Sequence, residues 1–235
     1  MNAKKMTAGN IILAINLVLT AAIFVLNFVY QSNGFDFTLK CVCSGGFALM
    51  GVINLVYALA AKLEKPSVYV SMAAGLVLAM LGDVLIGYDF IVGAGTFALG
   101  HVCFVVAYCL MQKLHWLDAV IGGGLFLAAT AFLLLCPLLN FDEPIFRVVC
   151  IIYALIISSM LGKAAGNFIR RPDPLYGLIA LASLLFFFSD LMLVFDWFIG
   201  LWSWTDHACM GTYYPALCFL ALSMCVRMRE RRDWI

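Results

Sequence analysis

Eight apolar runs of roughly twenty residues each leave this chain very few ways to fold. They lie at about residues 11–30, 37–61, 67–88, 92–111, 116–135, 145–165, 175–195 and 207–226. A transmembrane α-helix needs about 20 predominantly apolar residues to cross the hydrocarbon core of a bilayer. The sequence therefore predicts an all-α polytopic membrane protein. We expect one domain over residues 1–235, a single bundle of eight transmembrane helices.

The composition excludes most other classes of protein. Hydrophobic residues make up 65% of the chain and charged residues 11%, whereas soluble domains are about 45–50% apolar and 25% charged. The net charge of +1 comes with no basic stripe outside the loops, so we expect the lipid bilayer as a partner and no nucleic acid. The nine cysteines show no CxxC spacing, and five of them are expected to be small buried hydrophobic residues, namely Cys103, Cys109, Cys150, Cys218 and Cys225.

The distribution of basic residues predicts the orientation. With an even number of spans, both termini lie on one side of the membrane, together with twelve of the fourteen lysines and arginines. Only Lys40 and Arg147 fall on the opposite side. Because short cytoplasmic loops carry an excess of Lys and Arg, we expect both termini to be cytoplasmic. The protein is then an integral, multi-pass protein of the plasma membrane, the inner membrane if the source is bacterial.

The stretch from Leu81 to Tyr108 contains ionisable residues where a membrane protein tolerates them least. Asp83 lies near the end of the third span and His101 near the middle of the fourth, and Asp190 approaches the matching end of the seventh. An ionisable group at membrane depth costs about 3 kcal/mol or more unless it faces a partner or a wet cavity. We therefore expect these side chains to surround one polar site, with Tyr213 and Tyr214 of the eighth span at a similar level.

Helical spacing extends this polar set along two spans. Ser183 lies seven residues before Asp190, and Tyr108 seven residues after His101, so each pair shares a helix face. A purely structural interpretation remains open, in which the aspartates bond a tyrosine or a backbone carbonyl between helices or conduct a proton. On that interpretation His101 is a hydrogen-bonded core residue and the tyrosines are interface aromatics.

Several other functions conflict with the sequence. A membrane zinc hydrolase needs several convergent histidines, but His115 and His207 are predicted at opposite membrane faces, away from His101. No G-x-S-x-G nucleophile elbow is present. Every lysine lies near a span end or in a loop, so no mid-membrane lysine is available for a retinal Schiff base. A transporter remains open, although no repeat symmetry is evident.

Four motifs in four spans resemble those of the YhhN-like lysoplasmalogenase family. They are Gly82-Asp83, Phe97-x-x-x-His101, Ser189-Asp190-x-x-Leu193 and Tyr213-Tyr214-x-Ala216. The resemblance implies a fold of about eight membrane helices. It also implies hydrolysis of the vinyl ether bond of a lysoplasmalogen, a lysophospholipid, to a fatty aldehyde and a glycerophospho-ethanolamine or -choline. The chain departs from the family at two positions, with Phe104 and Leu217 where tyrosine and glutamine are frequent.

The resemblance implies roles for the polar residues. The predicted catalytic residues are Asp83, Asp190 and His101, and the predicted substrate-binding residues are Tyr213, Tyr214, Ser189 and Tyr108. Vinyl ether hydrolysis needs one carboxyl that donates a proton and one that stays ionised, and the sequence leaves open which aspartate does which. We expect no metal and no cofactor. The alternatives are a non-catalytic lipid or small-solute binder or transporter, and a hydrolase of other lysophospholipids.

Overall fold

The computed structural model describes residues 3–200 and 202–230, and in these ranges it contains eight α-helices and no strand. The helices are α1 (Ala3–Ser32), α2 (Phe37–Ala60), α3 (Pro66–Leu85), α4 (Phe90–Met111), α5 (Trp116–Leu135), α6 (Pro144–Arg170), α7 (Pro174–Phe198) and α8 (Thr205–Glu230). All eight are long and apolar enough to cross a membrane, which confirms the predicted fold class. The basic tail residues Arg231 and Arg232 lie outside the described residues, and the side of the membrane that the termini occupy stays a prediction.

Side-chain caps and prolines begin most of the helices. Asp36, Asp89 and Asp173 each accept a hydrogen bond from the backbone N–H three residues later, at 2.9–3.0 Å. Such a bond satisfies a donor that the first helical turn leaves unpaired. The prolines at the starts of α3, α6 and α7 occupy the position where a missing N–H costs nothing. The connections between consecutive helices are three to eight residues long.

Helix α8 is the most buried of the eight and forms the centre of the bundle. It packs against α1, α2, α3 and α7, while α4 packs against α3 and α6. An amide pair joins three of these helices, because Asn54 bonds Asn16 on α1 and the carbonyl of Ala221 on α8. We call the end of the bundle at the α1–α2, α3–α4, α5–α6 and α7–α8 connections the outer end.

Helices α3 and α4 form a close pair because two glycines remove side chains between them. A Cβ atom at Gly93 would collide with the backbone of Ile86, and one at Gly82 would lie 2.8 Å from the ring of Phe97. The chain turns between the helices just after Asp83, since α3 ends at Leu85 rather than at the expected residue 88. Asp83 therefore lies within the last turn of its helix, nearer the end than the sequence predicts.

Helix α5 lies at the edge of the bundle, and in the described residues its backbone comes close to that of α6 alone. Glycines again set the contact, since a Cβ atom at Gly162 would lie 2.5 Å from the backbone nitrogen of Gly122. At the end opposite the outer end, Asp118 is bonded by Lys163 at 2.8 Å and by Arg170 at 2.7 Å. Each charge of this buried cluster has a partner, which fixes α5 against α6.

Candidate functional site

A polar cavity of about 230 Å³ lies at the outer end of the bundle. Residues of α1, α2, α3, α4, α7 and α8 line it, so its shape depends on the whole bundle. Its charged and hydroxyl side chains are Lys40, Asp83, Ser189, Asp190, Asp196, Asp206, Tyr30 and Tyr213. The two aspartates predicted from the sequence, Asp83 and Asp190, thus share one cavity although they come from helices 3 and 7.

Asp83 is surrounded by hydrogen-bond donors. Its Oδ1 lies 3.2 Å from the Lys40 ammonium, and its Oδ2 accepts hydrogen bonds from Ser44 and, at 3.3 Å, from Tyr214. Lys40 and Ser44 are four residues apart on α2 and therefore reach Asp83 from the same helix face. An ionised carboxylate only accepts hydrogen bonds, so this set of one cation and two hydroxyls suits the anionic form of Asp83.

Asp190 has a different set of neighbours. Tyr153, on α6, donates its hydroxyl hydrogen to Asp190 Oδ2 at 2.7 Å. The Nε2 atom of His101 lies 2.7 Å from the Tyr153 oxygen and 3.3 Å from the same Oδ2. Because the tyrosine hydroxyl has one hydrogen and gives it to Asp190, we assign the hydrogen of the His101–Tyr153 contact to Nε2. Asp190, Tyr153 and His101 form a chain across α7, α6 and α4.

His101 lies behind Asp190 and is fully buried. Its ring packs edge-on against Phe186 with the centroids 4.5 Å apart, and its Nδ1 lies 3.3 Å from the sulfur of Met160. Phe186 in turn contacts Tyr213, so aromatic rings separate His101 from the Asp83 cluster. His101 can therefore act on a molecule in the cavity only through Tyr153 and Asp190.

The residues predicted to bind substrate do not all lie in the same place. Tyr213 lines the cavity and donates its hydroxyl hydrogen to the carbonyl of Ala79 at 3.2 Å, while Tyr214 bonds Asp83. Ser189 also lines the cavity, with its hydroxyl 3.4 Å from the Cys209 sulfur. Tyr108 is instead bonded to Ser183 at 3.1 Å, further from the outer end. The structure brings the first three residues to the site and Tyr108 to the core beneath it.

Three neighbours of the two aspartates were missed from the sequence, namely Lys40, Ser44 and Tyr153. Lys40 is a lone cation within the second apolar run, on the side of the membrane that has few basic residues. This unusual position could have indicated that Lys40 pairs with a buried carboxylate. Lys40 and Ser44 are four residues apart in the sequence, a spacing that places both side chains on the same face of a helix. Tyr153 is the only tyrosine of the sixth run, but nothing in the sequence indicates that α6 packs beside α7 at the level of Asp190.

The mouth of the cavity is acidic. Asp196 and Asp206 line it and are both partly exposed, and Asp196 also accepts a hydrogen bond from Thr205 at 3.3 Å. With Asp83 and Asp190 the lining contains four carboxyl groups against the single ammonium of Lys40. The potential in the cavity therefore favours a group with positive charge, whether a cationic head or a cation that forms during a reaction.

The two departures from the family pattern lie in packed regions of the bundle. Phe104 is fully buried, and its ring fills the space beside Gly75, where a Cβ atom would lie 2.6 Å from it. Leu217 is also fully buried in the core. In this chain both positions contribute apolar packing around the site.

Comparison with known proteins finds a family match. The sequence model of the YhhN family matches residues 44–224, which include the motif residues of α3, α4, α7 and α8. No curated protein and no solved structure gives a significant match to the chain.

Proposed function

The chain belongs to the YhhN family, and on that premise we propose that it hydrolyses the vinyl ether bond of lysoplasmalogens. The products are a fatty aldehyde and a glycerophospho-ethanolamine or -choline. The observation that carries the proposal is that two carboxyls with different surroundings, Asp83 and Asp190, line one cavity. Vinyl ether hydrolysis passes through an oxocarbenium ion, and paired carboxyls serve glycosidases with a similar transition state.

In the proposed first step Asp190 is the general acid. A proton on its Oδ1 moves to the second carbon of the alkenyl chain, and the first carbon becomes part of the oxocarbenium ion. As the proton leaves, negative charge develops on Asp190, and the hydrogen bond from Tyr153 to Oδ2 stabilises it. His101 donates to the oxygen of Tyr153, which strengthens the tyrosine as a donor. Tyr153 and His101 are then positioning residues, and Asp190 is the catalytic one.

In the proposed second step water is added to the cation. Asp83, which contacts Lys40, Ser44 and Tyr214, acts in its anionic form and stabilises the positive charge on the first carbon. A water molecule attacks this carbon and loses a proton to the Asp190 carboxylate, which restores the acid. The resulting hemiacetal breaks its bond to the glycerol oxygen. The aldehyde and the free glycerol hydroxyl are released, and the atoms of one water are consumed.

The acidic mouth supports the orientation of the substrate. An ammonium-bearing head group is attracted by the partly exposed Asp196 and Asp206, while the glycerol and vinyl ether lie deeper, beside Asp190. The substrate is itself a membrane lipid, so the chain enters from the bilayer and the head remains at the outer end. This arrangement needs no passage of the phosphate through the apolar part of the bundle.

The test compares three substrates with the purified protein in detergent or nanodiscs. A lysoplasmalogen, its saturated 1-alkyl ether analogue and a 1-acyl lysophospholipid are incubated separately, and aldehyde, glycerophosphodiester and fatty acid are measured. We expect aldehyde from the lysoplasmalogen alone. When the reaction is run in heavy water, with the free aldehyde as an exchange control, one deuterium is expected at the second carbon of the aldehyde.

The other outcomes correspond to the alternative functions. Release of fatty acid from the acyl lipid identifies a hydrolase of ordinary lysophospholipids and overturns the proposal. Binding without turnover of any of the three lipids identifies a carrier or binding protein, and equally overturns it.

A further inference from the structure

A second, apolar groove of about 290 Å³ runs along the outside of the bundle between α5, α6 and α7. Each helix lines it with residues at helical spacing, so the groove follows one face of each. The floor is formed by Cys150, Tyr153, Ala154 and Ile157 of α6. In the described residues the backbone of α5 approaches only that of α6, and side chains such as the rings of Phe132 and Phe195 make the contact between α5 and α7.

The groove meets the polar cavity at Asp190, which lines both. Apart from Asp190, its bonded partner Tyr153 and the thiol of Cys150, the lining is entirely apolar. A molecule that fills both spaces must have a polar part and a hydrocarbon part, and the junction between the two parts lies at Asp190. The reacting bond of an alkenyl ether lipid is at that junction, because the vinyl ether carbons are the first two carbons of the chain.

The direction of the groove fits a lipid held at its natural depth. On α5 it extends from Leu133, near the outer end, to Leu125 in the middle of the helix, about 12 Å at 1.5 Å per residue. The rings of Phe132 and Phe195 lie 5.5 Å apart across the space between α5 and α7, closer to the outer end than Leu125. The remaining course leads from Asp190 toward the middle of the membrane, where a lipid tail lies.

We propose that this groove binds the hydrocarbon chain of a single-chain, ether-type lysophospholipid, with the chain entering sideways from the bilayer between α5 and α7. The volume is at the lower end of small-molecule pockets, which favours one chain over two. The inference rests on the proposed function for the identity of the head-bearing ligand. It does not require turnover, because a saturated analogue fits the same space.

The experiment uses a saturated 1-alkyl lysophosphoethanolamine with a diazirine at the end of its chain, in nanodiscs that contain the full-length protein. After irradiation, the labelled residues are mapped by mass spectrometry. We expect labelling to concentrate on the deep part of the groove, at Leu125, Ile157 and Phe187. An excess of the unlabelled ether lipid should reduce it at least fivefold, while labelling of lipid-facing residues elsewhere stays constant.

A matched pair of variants on α5 tests the position. Ala129 lines the groove and is partly buried, whereas Ala131, two residues later, is exposed and does not line it. Ala129→Trp should abolish the competable labelling and Ala131→Trp should leave it unchanged. Ala128→Trp, at an exposed groove position, serves if Ala129→Trp fails to fold.

Three results would overturn the inference. They are labelling spread evenly over the lipid-facing surface, labelling that resists the groove variants, and equal competition by a two-chain diacyl phospholipid, which would assign the groove to a bulk lipid. A failure of the proposed function can be distinguished from a failure of this inference. In that case groove labelling persists with the saturated probe while the wild-type protein releases no aldehyde from lysoplasmalogen.

Discussion

The hydroxyl of Tyr153 lies 2.7 Å from Asp190 Oδ2 and joins α6 to α7 in the apolar groove, beside the residue that the groove shares with the polar cavity. This bond distinguishes the two aspartates of the site. Asp83 is bonded to a cation and two hydroxyls, whereas Asp190 is bonded to a tyrosine that a histidine supports. The difference leads us to assign the proton donor to Asp190 and the stabilising anion to Asp83.

Tyr153→Phe removes the hydroxyl and keeps the ring. The developing charge on Asp190 then loses one donor, so we expect kcat for aldehyde release to fall about 10²-fold with little change in KM. Tyr108→Phe is the control, because it also removes a buried tyrosine hydroxyl, one that bonds Ser183 away from the cavity. A Tyr153→Phe variant with the same kcat as Tyr108→Phe would contradict the positioning role.

Substitutions of Lys40 and Asp83 are expected to have non-additive effects on the stability of the protein. Removing one partner of a buried ion pair leaves an uncompensated charge and costs about 3–5 kcal/mol; the Lys40 and Asp83 side chains are only 12% and 3% exposed. We therefore expect Lys40→Met to lower the melting temperature clearly. The double variant Lys40→Met/Asp83→Asn should recover most of this loss in thermal unfolding while remaining inactive. Additive losses of stability would show that the two side chains do not interact.

The same pair revises an expectation based on the sequence alone. Replacing an ionisable side chain at membrane depth by a neutral one should lower its desolvation cost, so both Asp83→Asn and Asp190→Asn are expected to fold well on that ground. Because Asp83 neutralises Lys40, Asp83→Asn should be the less stable of the two variants.

The close packing of α5 on α6 predicts which glycines of these two helices tolerate substitution by alanine. At Gly162 an added methyl group would lie 2.5 Å from the backbone nitrogen of Gly122, and at Gly166 it would collide with Asp118. Gly162→Ala and Gly166→Ala should each destabilise the protein by about 1–3 kcal/mol through overpacking. Gly123→Ala has nothing within 4 Å of the new methyl group and should be neutral or slightly stabilising, by up to about 1 kcal/mol. Thermal unfolding that ranks Gly123→Ala with the other two would contradict this contact.

The eight helices could be predicted because each is encoded locally by a run of apolar residues, and α2, α3, α4, α6 and α7 also have a proline or a capping aspartate at their start. The presence of Asp83 and Asp190 at one site could also be inferred, since polar residues within apolar runs need partners. The residues that contact these two aspartates could not be predicted. Lys40, Ser44 and Tyr153 reach the aspartates through contacts of α2 with α3 and of α6 with α7, and the sequence does not encode which helices become neighbours.

The orientation of the bundle is open to a direct test. The sequence predicts twelve basic residues on the side of the termini and two on the outer side, so a reporter domain fused after Ile235 should be active only in the cytoplasm. A reporter inserted in the α5–α6 connection, after Asn140, should behave in the opposite way. Activity of the first fusion outside the cytoplasm would reverse the orientation and place the cavity at the cytoplasmic face.

The role of Asp190 as the acid is tested by the turnover of lysoplasmalogen by Asp190→Asn, measured together with the melting temperature of that variant. Asparagine keeps the volume of the side chain but carries no transferable proton, so we expect aldehyde release to fall about 10²–10⁴-fold in a protein that unfolds near the wild-type temperature. Asp142→Asn, an exposed position in the α5–α6 connection, should retain full activity. A well-folded Asp190→Asn variant with most of the wild-type turnover would contradict the assignment of Asp190 as the acid.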